Sequence, residues 1–366
     1  MREGELSWGP LDGDGDRDAV AALAERCHAA DGGMPEVTIS RFTADGAITA
    51  DGAITAGGRT ATGVLVAAAT VRRLASGAAV LGVVDPAHRG RGVGGGLLDW
   101  GLATAAAVLA GDPAPASGAA VPATAAVLAG DPALATAAAP VTAAAPTAAA
   151  LAPAPSGPAG SATAGAGSAV PPGAGVPPVS AVTVETEALT EAAERLFASR
   201  GLRQTFAEDV MRFDLASAPL PEVPLPPDVV AREWTSDIAA RFFAVYDASF
   251  RDRPGFPGWP AERWVEWTAG DDEFRPQWSL LATGPDGADV GFVTCAEGWI
   301  VQVGVVPSWR GRGVGAGLVA EALRRMRADG AGQALLDVNV DNPAGRLYTR
   351  LGFAVLGRRA KFQRPG

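Results

Sequence analysis

The second half of the chain alternates between two hydrophobic periods. Apolar residues alternate with polar ones, or run unbroken, over 229–234, 278–283, 288–295, 299–306, 333–340 and 354–362, the pattern of half-buried and buried strands. Over 237–250, 260–267, 314–330 and 342–353 they return every third or fourth residue, which predicts helices with one buried face. Pro260 opens the second of these helices, and Gly330 and Gly352 are placed to end the third and fourth. Strand and helix in alternation predict a mixed α/β fold.

Two stretches break the pattern. Residues 111–180 carry two charges, Asp112 and Asp131, no aromatic residue, and otherwise mostly Ala, Pro, Gly, Ser, Thr and Val. Such a segment buries too little side-chain area to offset the entropy of ordering it, so it reads as a flexible insertion. The near-copies AVLAGDPA at 107–114 and 126–133 have the look of duplicated sequence at its edge. Further on, prolines at 219, 221, 224, 226 and 227 favour extended chain and mark 218–227 as a linker. The expected organisation is one domain from 1–110 plus 181–217, the insertion 111–180, the linker, and a second domain from 228–366. A length of 366 residues suits two domains with a surplus.

Composition narrows the function classes. With 30 basic against 40 acidic residues the formal net charge is −10, which repels a phosphate backbone and argues against a nucleic-acid partner. Two cysteines, Cys27 and Cys295, make neither a disulfide framework nor a metal site, so a reducing compartment is expected and no metal. The opening residues lack the basic and apolar runs of an export signal, and Pro140 and Pro146 interrupt the alanine-rich 133–152 that would otherwise score as a span. The expectation is a cytoplasmic protein without a membrane partner. The oligomeric state is left open.

The most specific feature is a repeat. VVDPAHRGRGVGGGLL at 83–98 and VVPSWRGRGVGAGLV at 305–319 each join a predicted strand to a predicted helix through Arg-Gly-Arg-Gly-Val-Gly. Glycines let successive backbone N–H groups turn inward toward an anion without a Cβ in the way, and the helix adds its unpaired N-terminal donors. Each copy therefore predicts a pyrophosphate cradle. The GK[ST] ending of a P-loop is absent, and a Rossmann fingerprint would open near the first strand with an acidic residue about 20 positions on.

These residues resemble the GNAT superfamily of acetyl-CoA-dependent N-acetyltransferases, whose signature R-x-x-G-x-G/A lies between the fourth strand and third helix. Here that is Arg310, Gly313 and Gly315, and again Arg89, Gly92 and Gly94. A second landmark is NPAGRLYTRLGF, with Asn342, Leu347, Tyr348, Gly352 and Phe353. The loop arginines of the two copies are 221 residues apart, whereas EAAERLFASRGL precedes NPAGRLYTRLGF by 151; the difference of 70 is the length of 111–180. The first half therefore resembles a complete GNAT domain interrupted between its third helix and fifth strand. The two-domain architecture is similar to that of the mycothiol synthases.

The resemblance implies two GNAT-like domains, each a mixed, mostly antiparallel sheet flanked by helices. It implies acetyl-CoA as co-substrate and a small-molecule primary amine as acceptor, with the amine attacking directly. It further implies that Val303, Gly304, Val305, Arg310, Gly311, Arg312, Gly313, Val314, Gly315, Ala316 and Asn342 hold the cofactor in the second domain. The corresponding set in the first is Gly82, Val83, Val84, Arg89, Gly90, Arg91, Gly92, Val93, Gly94 and Gly95. Tyr348 corresponds to the family's proton donor to the departing thiolate, and the first half has Phe197 there and Glu191 in place of Asn342, so the second domain is the expected catalytic one. Mycothiol synthases carry a glutamate on the fourth strand where this chain has Trp299. Glu297, two residues away, is the candidate base if the strand is regular, with Asp337 and Asp341 as alternatives. His28 and His88 read as a surface helix residue and a loop residue, and Trp259, Trp264 and Trp267 as core or as the roof of the acceptor pocket. A non-catalytic acetyl-CoA sensor and a mycothiol synthase acetylating a cysteinyl amine are the competing readings.

Overall fold

Each period-two segment of the second half forms a strand, and each segment of helical period contains a helix. The computed structural model describes residues 6–13, 15–42, 53–74, 77–112, 181–253 and 256–364. Beyond Gly111 and Asp112, the insertion expected at 111–180 lies outside the described residues. The described residues within 6–30, 41–112 and 181–184 form one compact unit, and those within 31–40 and 185–364 form another.

In the first unit, β1 (Ser7–Gly9), β2 (Ile54–Arg59), β3 (Leu65–Leu74) and β4 (Gly77–Val84) follow one another in an antiparallel meander. Helix α1 (Asp16–Asp31) buries Val20, Leu23, Ala24 and Cys27, spaced at three and four residues, against Leu65, Ala68 and Leu81 of the strands. His28, expected on the surface, is buried with them. Helix α2 (Pro35–Phe42) crosses the division between the units, the chain re-enters the first at Arg41, and α3 (Val93–Ala110) lies on β3 and β4. Gly101 of α3 admits close packing: a Cβ there would lie 2.5 Å from Cγ1 of Val80 on β4. Among the described residues α3 is the one helix long and apolar enough to cross a membrane, and it buries Leu97, Leu98, Trp100 and Ala105 inside the protein.

Strand β5 (Ala181–Thr186) passes from the first unit into the second, where it is followed by α4 (Glu191–Ser199) and β6 (Arg203–Asp214). Then come β7 (Val230–Glu233), α5 (Ala239–Phe250), α6 (Ala261–Ala269), β8 (Leu280–Thr283), β9 (Asp289–Ala296) and β10 (Trp299–Val305). The chain closes with α7 (Val314–Ala328), β11 (Gln333–Asn339), α8 (Gly345–Arg350) and β12 (Ala354–Gln363). The strands of this unit lie in the order β7-β8-β9-β10-β11-β6-β12.

Strand β6 belongs to the segment that the sequence assigns to the first domain. It instead runs between β11 and β12 and pairs antiparallel with both, Glu208 opposite Asn339 on one edge and Arg359 on the other. Period-two alternation marks a strand without naming its partner, so the exchange could not be read from the pattern. Two cores flank the sheet. Val314, Leu318, Ala322, Leu323 and Met326 of α7 cover Val290, Val293 and Ile300 on one face, and the aromatic cluster of Phe242, Tyr246 and Trp264 covers Leu281 and Phe292 on the other. Side chains of adjacent strand residues point to opposite faces, which is why Phe292 and Val293 enter different cores.

Candidate active site

The site begins where two parallel strands part. Strands β10 and β11 pair at Trp299 and Leu335, fixed by a 2.8 Å hydrogen bond from the Leu335 N–H to the Gly298 carbonyl, and no further pairing follows. A bulge in the pairing of β10 with β9, between Ile300 and Gln302, accompanies the divergence. From Val301 onward β10 therefore has one edge paired to β9 and the other open. The wedge between the strands is a cleft of about 190 Å³, lined by Trp299–Val303 of β10, Leu336–Asn339 of β11, Tyr348 of α8 and aromatic residues of α5 and the loop after it.

Strand β10 runs into the glycine loop. Gly311 and Gly313 have φ of +74° and +89°, left-handed values that a side chain disfavours, and nothing lies within 4 Å of where their Cβ would be. Gly313 caps α7 without a side chain, and the first helical hydrogen bond is Gly317 N–H to Gly313 C=O. The N–H groups of Val314, Gly315 and Ala316 thus have no partner within the helix and open at its positive end, as an anion requires. Arg310 points inward from the loop, its Nε donating to the Val305 carbonyl at 3.2 Å and an Nη to the Ser249 carbonyl at 2.8 Å. It holds the loop against β10 and α5. Arg312 lies over the Trp309 ring, 5.0 Å from its centre.

Gly304 permits this approach of α5, since a Cβ there would lie 2.4 Å from Cε1 of Phe292 and 3.1 Å from Cβ of Ser249. Gly304→Ala should destabilise the protein by about 1–3 kcal/mol through overpacking. The check is a lowered denaturation midpoint in urea with an unchanged slope.

Both tyrosines of the chain, Tyr246 and Tyr348, line the cleft. Burial pushes each phenol up to about 12, so each keeps its proton through the neutral range. Tyr348 packs edge-on against Phe353, and Tyr246 stacks on the fully buried Trp264 with ring centres 5.0 Å apart. Tyr246 was not singled out by the sequence; its position on the buried face of an amphipathic helix resembles that of any core aromatic. Asn342 also lines the cleft, with its side-chain oxygen accepting from the Ala344 N–H at 3.0 Å to shape the turn into α8.

The carboxylates are distributed differently from expectation. Glu297 sits in the β9–β10 turn, half-exposed and ion-paired with Arg275 at 2.7 Å, and the structure does not bring it to the cleft. The period-two argument assumed a strand through 297, whereas β10 starts at Trp299 after Gly298, whose φ of +69° turns the chain. Asp341 is likewise absent from the cleft wall, its N–H bonded to the Asn339 side chain. The carboxylates that do face it are Asp337 of β11 and Glu208 of the exchanged strand β6. Arg359 of β12 bridges them, lying 2.9 Å from Asp337, 3.1 Å from Glu208 and 2.9 Å from Glu187, with all four side chains largely buried. Burial raises the Asp337 carboxyl to about 7; Arg359 opposes this and Glu208 and Glu187 add to it.

Splayed parallel strands and a phenol meet in this cleft, with the glycine cradle further along β10. The model of the acetyltransferase (GNAT) family matches residues 242–353, which hold the cradle and all of the cleft's lining but Glu208. Those residues form a GNAT-family domain. A mycothiol acetyltransferase of Nocardia farcinica is 33% identical over 175 residues, 44% of this chain and 57% of that protein. One from Frankia casuarinae is 33% identical over 170 residues, 41% of this chain and 49% of that protein. The chain thus spans about half the length of these relatives. Among solved structures, a GCN5-related N-acetyltransferase from Sphaerobacter thermophilus superposes with a TM-score of 0.62 over 98% of this chain and 97% of that one, at 23% identity. That likeness shows a shared fold across the described residues of both units.

Among the described residues, the first unit repeats the cradle and differs from the second at β4, and the residues aligned with Tyr348 and Asn342 lie in the second unit. Gly90 and Gly92 have φ of +72° and +81°, Gly92 caps α3 without a side chain, and Arg89 donates to the Val84 carbonyl at 3.0 Å as Arg310 does to Val305. Val93, Gly94 and Gly95 occupy the first turn of α3, with Arg91 exposed before them. Strand β4, which holds Gly82, Val83 and Val84, pairs with β3 in continuous register, without the bulge of β10. Phe197, which aligns with Tyr348, is buried in the second unit, its ring centre 4.9 Å from that of Phe362. Glu191, aligned with Asn342, pairs with Arg195 in the first turn of α4.

Proposed function

We propose that the second unit transfers the acetyl group of acetyl-CoA directly to a small primary amine, and that the first is a non-catalytic GNAT-like unit with a retained cradle. The observation that carries this reading is the convergence on one cleft of the open edge of β10 and the protonated phenol of Tyr348, beside the uncapped end of α7. The N–H groups of Val314, Gly315 and Ala316 suit the diphosphate, and the free edge at Val303–Val305 suits the pantetheine amides. Tyr348 would protonate the departing thiolate. No covalent enzyme intermediate is needed, so catalysis reduces to positioning, polarisation of the thioester and proton transfer.

The relatives' name favours a second reading, in which the acceptor is a mycothiol precursor bearing a cysteinyl amine. CoA release measured over cysteinyl-glucosaminyl-inositol, polyamines, aminoglycosides, arylalkylamines and peptide N-termini separates the two. Absence of release with every amine would leave the binding-protein alternative. Cys27 and Cys295 are buried and form no disulfide, which suits the cytoplasm as the place of action.

A phenol donor should contribute modestly, because a thiolate leaves readily. For Tyr348→Phe the expectation is a fall in kcat of about 10- to 100-fold, at or just below the low end of the range for positioned acids, with KM for acetyl-CoA changed much less. Tyr246→Phe, made in parallel, should leave kcat within about threefold, since that ring is set by packing against Trp264. Unchanged kcat with a raised KM in Tyr348→Phe would reassign Tyr348 to cofactor positioning.

A further inference from the structure

The cleft of the GNAT domain presents two buried oxygens with no hydrogen-bond partner, one from each of the splayed strands. They are Oδ1 of Asp337 on β11 and Oε1 of Gln302 on β10. Buried acceptors are nearly always paired, and two left without a partner on residues that line one cavity mark a place for a donor. We propose that Asp337 and Gln302 form the subsite for the acceptor's ammonium group, that Asp337 removes its proton, and that the acceptor is an arylalkylamine.

The electrostatics around Asp337 suit a cation there: Glu208, which also lines the cleft, and Glu187 both add negative potential at its carboxyl, against the Arg359 guanidinium. Arg253, the cation on the cleft wall, is exposed and lies over Phe250 with its guanidinium 5.3 Å from the ring centre. An ammonium donating to Asp337 and Gln302 would satisfy both oxygens. The rest of the wall determines what the ammonium is attached to. Tyr246, Phe250, Phe256, Trp259 and Trp299 give it aromatic surfaces on which a ring can stack.

The inference rests on the acetyl-transfer reading of the same cleft, and the chemistry balances as follows. The ammonium passes one proton to the Asp337 carboxylate and becomes an amine. Its lone pair forms the C–N bond at the thioester carbon, and the C–S bond then breaks as the sulfur takes the Tyr348 hydroxyl proton. The second proton on the nitrogen returns to the Tyr348 oxygen, leaving amide and thiol, and Asp337 releases its proton to solvent. A carboxyl raised to about 7 is matched to this task, being ionised above neutrality yet basic enough to accept. Arg359, Glu208 and Glu187 tune it, and Tyr348, still protonated there, does not compete.

The test is calorimetric binding of phenethylamine and of its neutral counterpart 2-phenylethanol to the full chain, without acetyl-CoA, at pH 6 and pH 8. The wild type should prefer the amine by about 30-fold or more at pH 8 and much less at pH 6; such a preference is within the range of a single charge-assisted hydrogen bond. Asp337→Asn should erase the preference at both pH values while keeping the alcohol, and Gln302→Leu should reduce it. Asp337→Asn should also be more stable than wild type to urea at pH 8, with the difference shrinking steadily as pH falls toward 4, because it removes a buried charge without changing shape. A merely structural aspartate would instead lose stability. Equal binding of amine and alcohol by the wild type, binding of neither, or an undiminished preference in Asp337→Asn would overturn the subsite. A preference that follows Asp337 without CoA release from any amine would sink the acetyl-transfer reading and leave the subsite standing.

Discussion

Turnover should be lost when Gly313 and Gly315 are both replaced by aspartate, and should survive the matching change at Gly92 and Gly94. The space over the proposed cradle is open: a Cβ at Gly313 meets no atom within 4 Å, and one at Gly315 meets only Cγ2 of Val305 at 3.4 Å. Added side chains therefore fit the free protein and fill the ligand's place. Each carboxylate sits within about 5 Å of where a diphosphate would lie, and at an effective dielectric near 20 such a pair of like charges costs about 3 kcal/mol. Two of them should weaken acetyl-CoA binding by well over about 1,000-fold. The left-handed φ at Gly313 adds about 1–2 kcal/mol of backbone strain, for which urea denaturation provides the control. In the first unit, Gly92→Asp with Gly94→Asp should lower the stoichiometry of acetyl-CoA bound while CoA release continues. Loss of activity in that folded double variant would move the chemistry to the first unit or make it depend on that cradle.

The second large effect should come from Arg359→Met. Arg359 is the cation shared by Glu187, Glu208 and Asp337, and its side chain is only 13% exposed. Removing one side of a buried ion cluster leaves the other side uncompensated, at about 3–5 kcal/mol. Asp337 gives the loss a pH signature. Its folded pKa is raised above the unfolded value near 4, so its contribution to stability is fully present below pH 4 and is lost as pH rises through about 7. In Arg359→Met the cation opposing that shift is gone, and the unpaired negative charge is greater at pH 8 than at pH 5. Urea midpoints should therefore fall more at pH 8, and acidification should restore part of the stability. A destabilisation independent of pH would mean that the arginine acts by packing alone.

The sequence by itself determined the elements of the second half, because each has a clear period and punctuation. The strand at 299–306 became β10 and the helix at 314–330 became α7, with Gly313 at its cap, since glycine admits the left-handed φ that the turn from strand to helix uses. The repeat of that loop and the phenol at Tyr348 were also legible, as local patterns of residue type. What only the tertiary structure decided is which distant residues share a space. Strand β6, whose first residue lies 130 positions before that of β11, inserts beside it and brings Glu208 to Asp337 and Arg359. A strand's alternation is the same whichever sheet accepts it, so neither that pairing nor the buried carboxylate cluster it creates has a signature in the chain. The same holds for Glu297 and Asp337. One turn residue, Gly298, ended the alternation that would have aimed Glu297 inward, and the splay of β10 from β11 opened the cleft that gives Asp337 its buried, unpartnered oxygen.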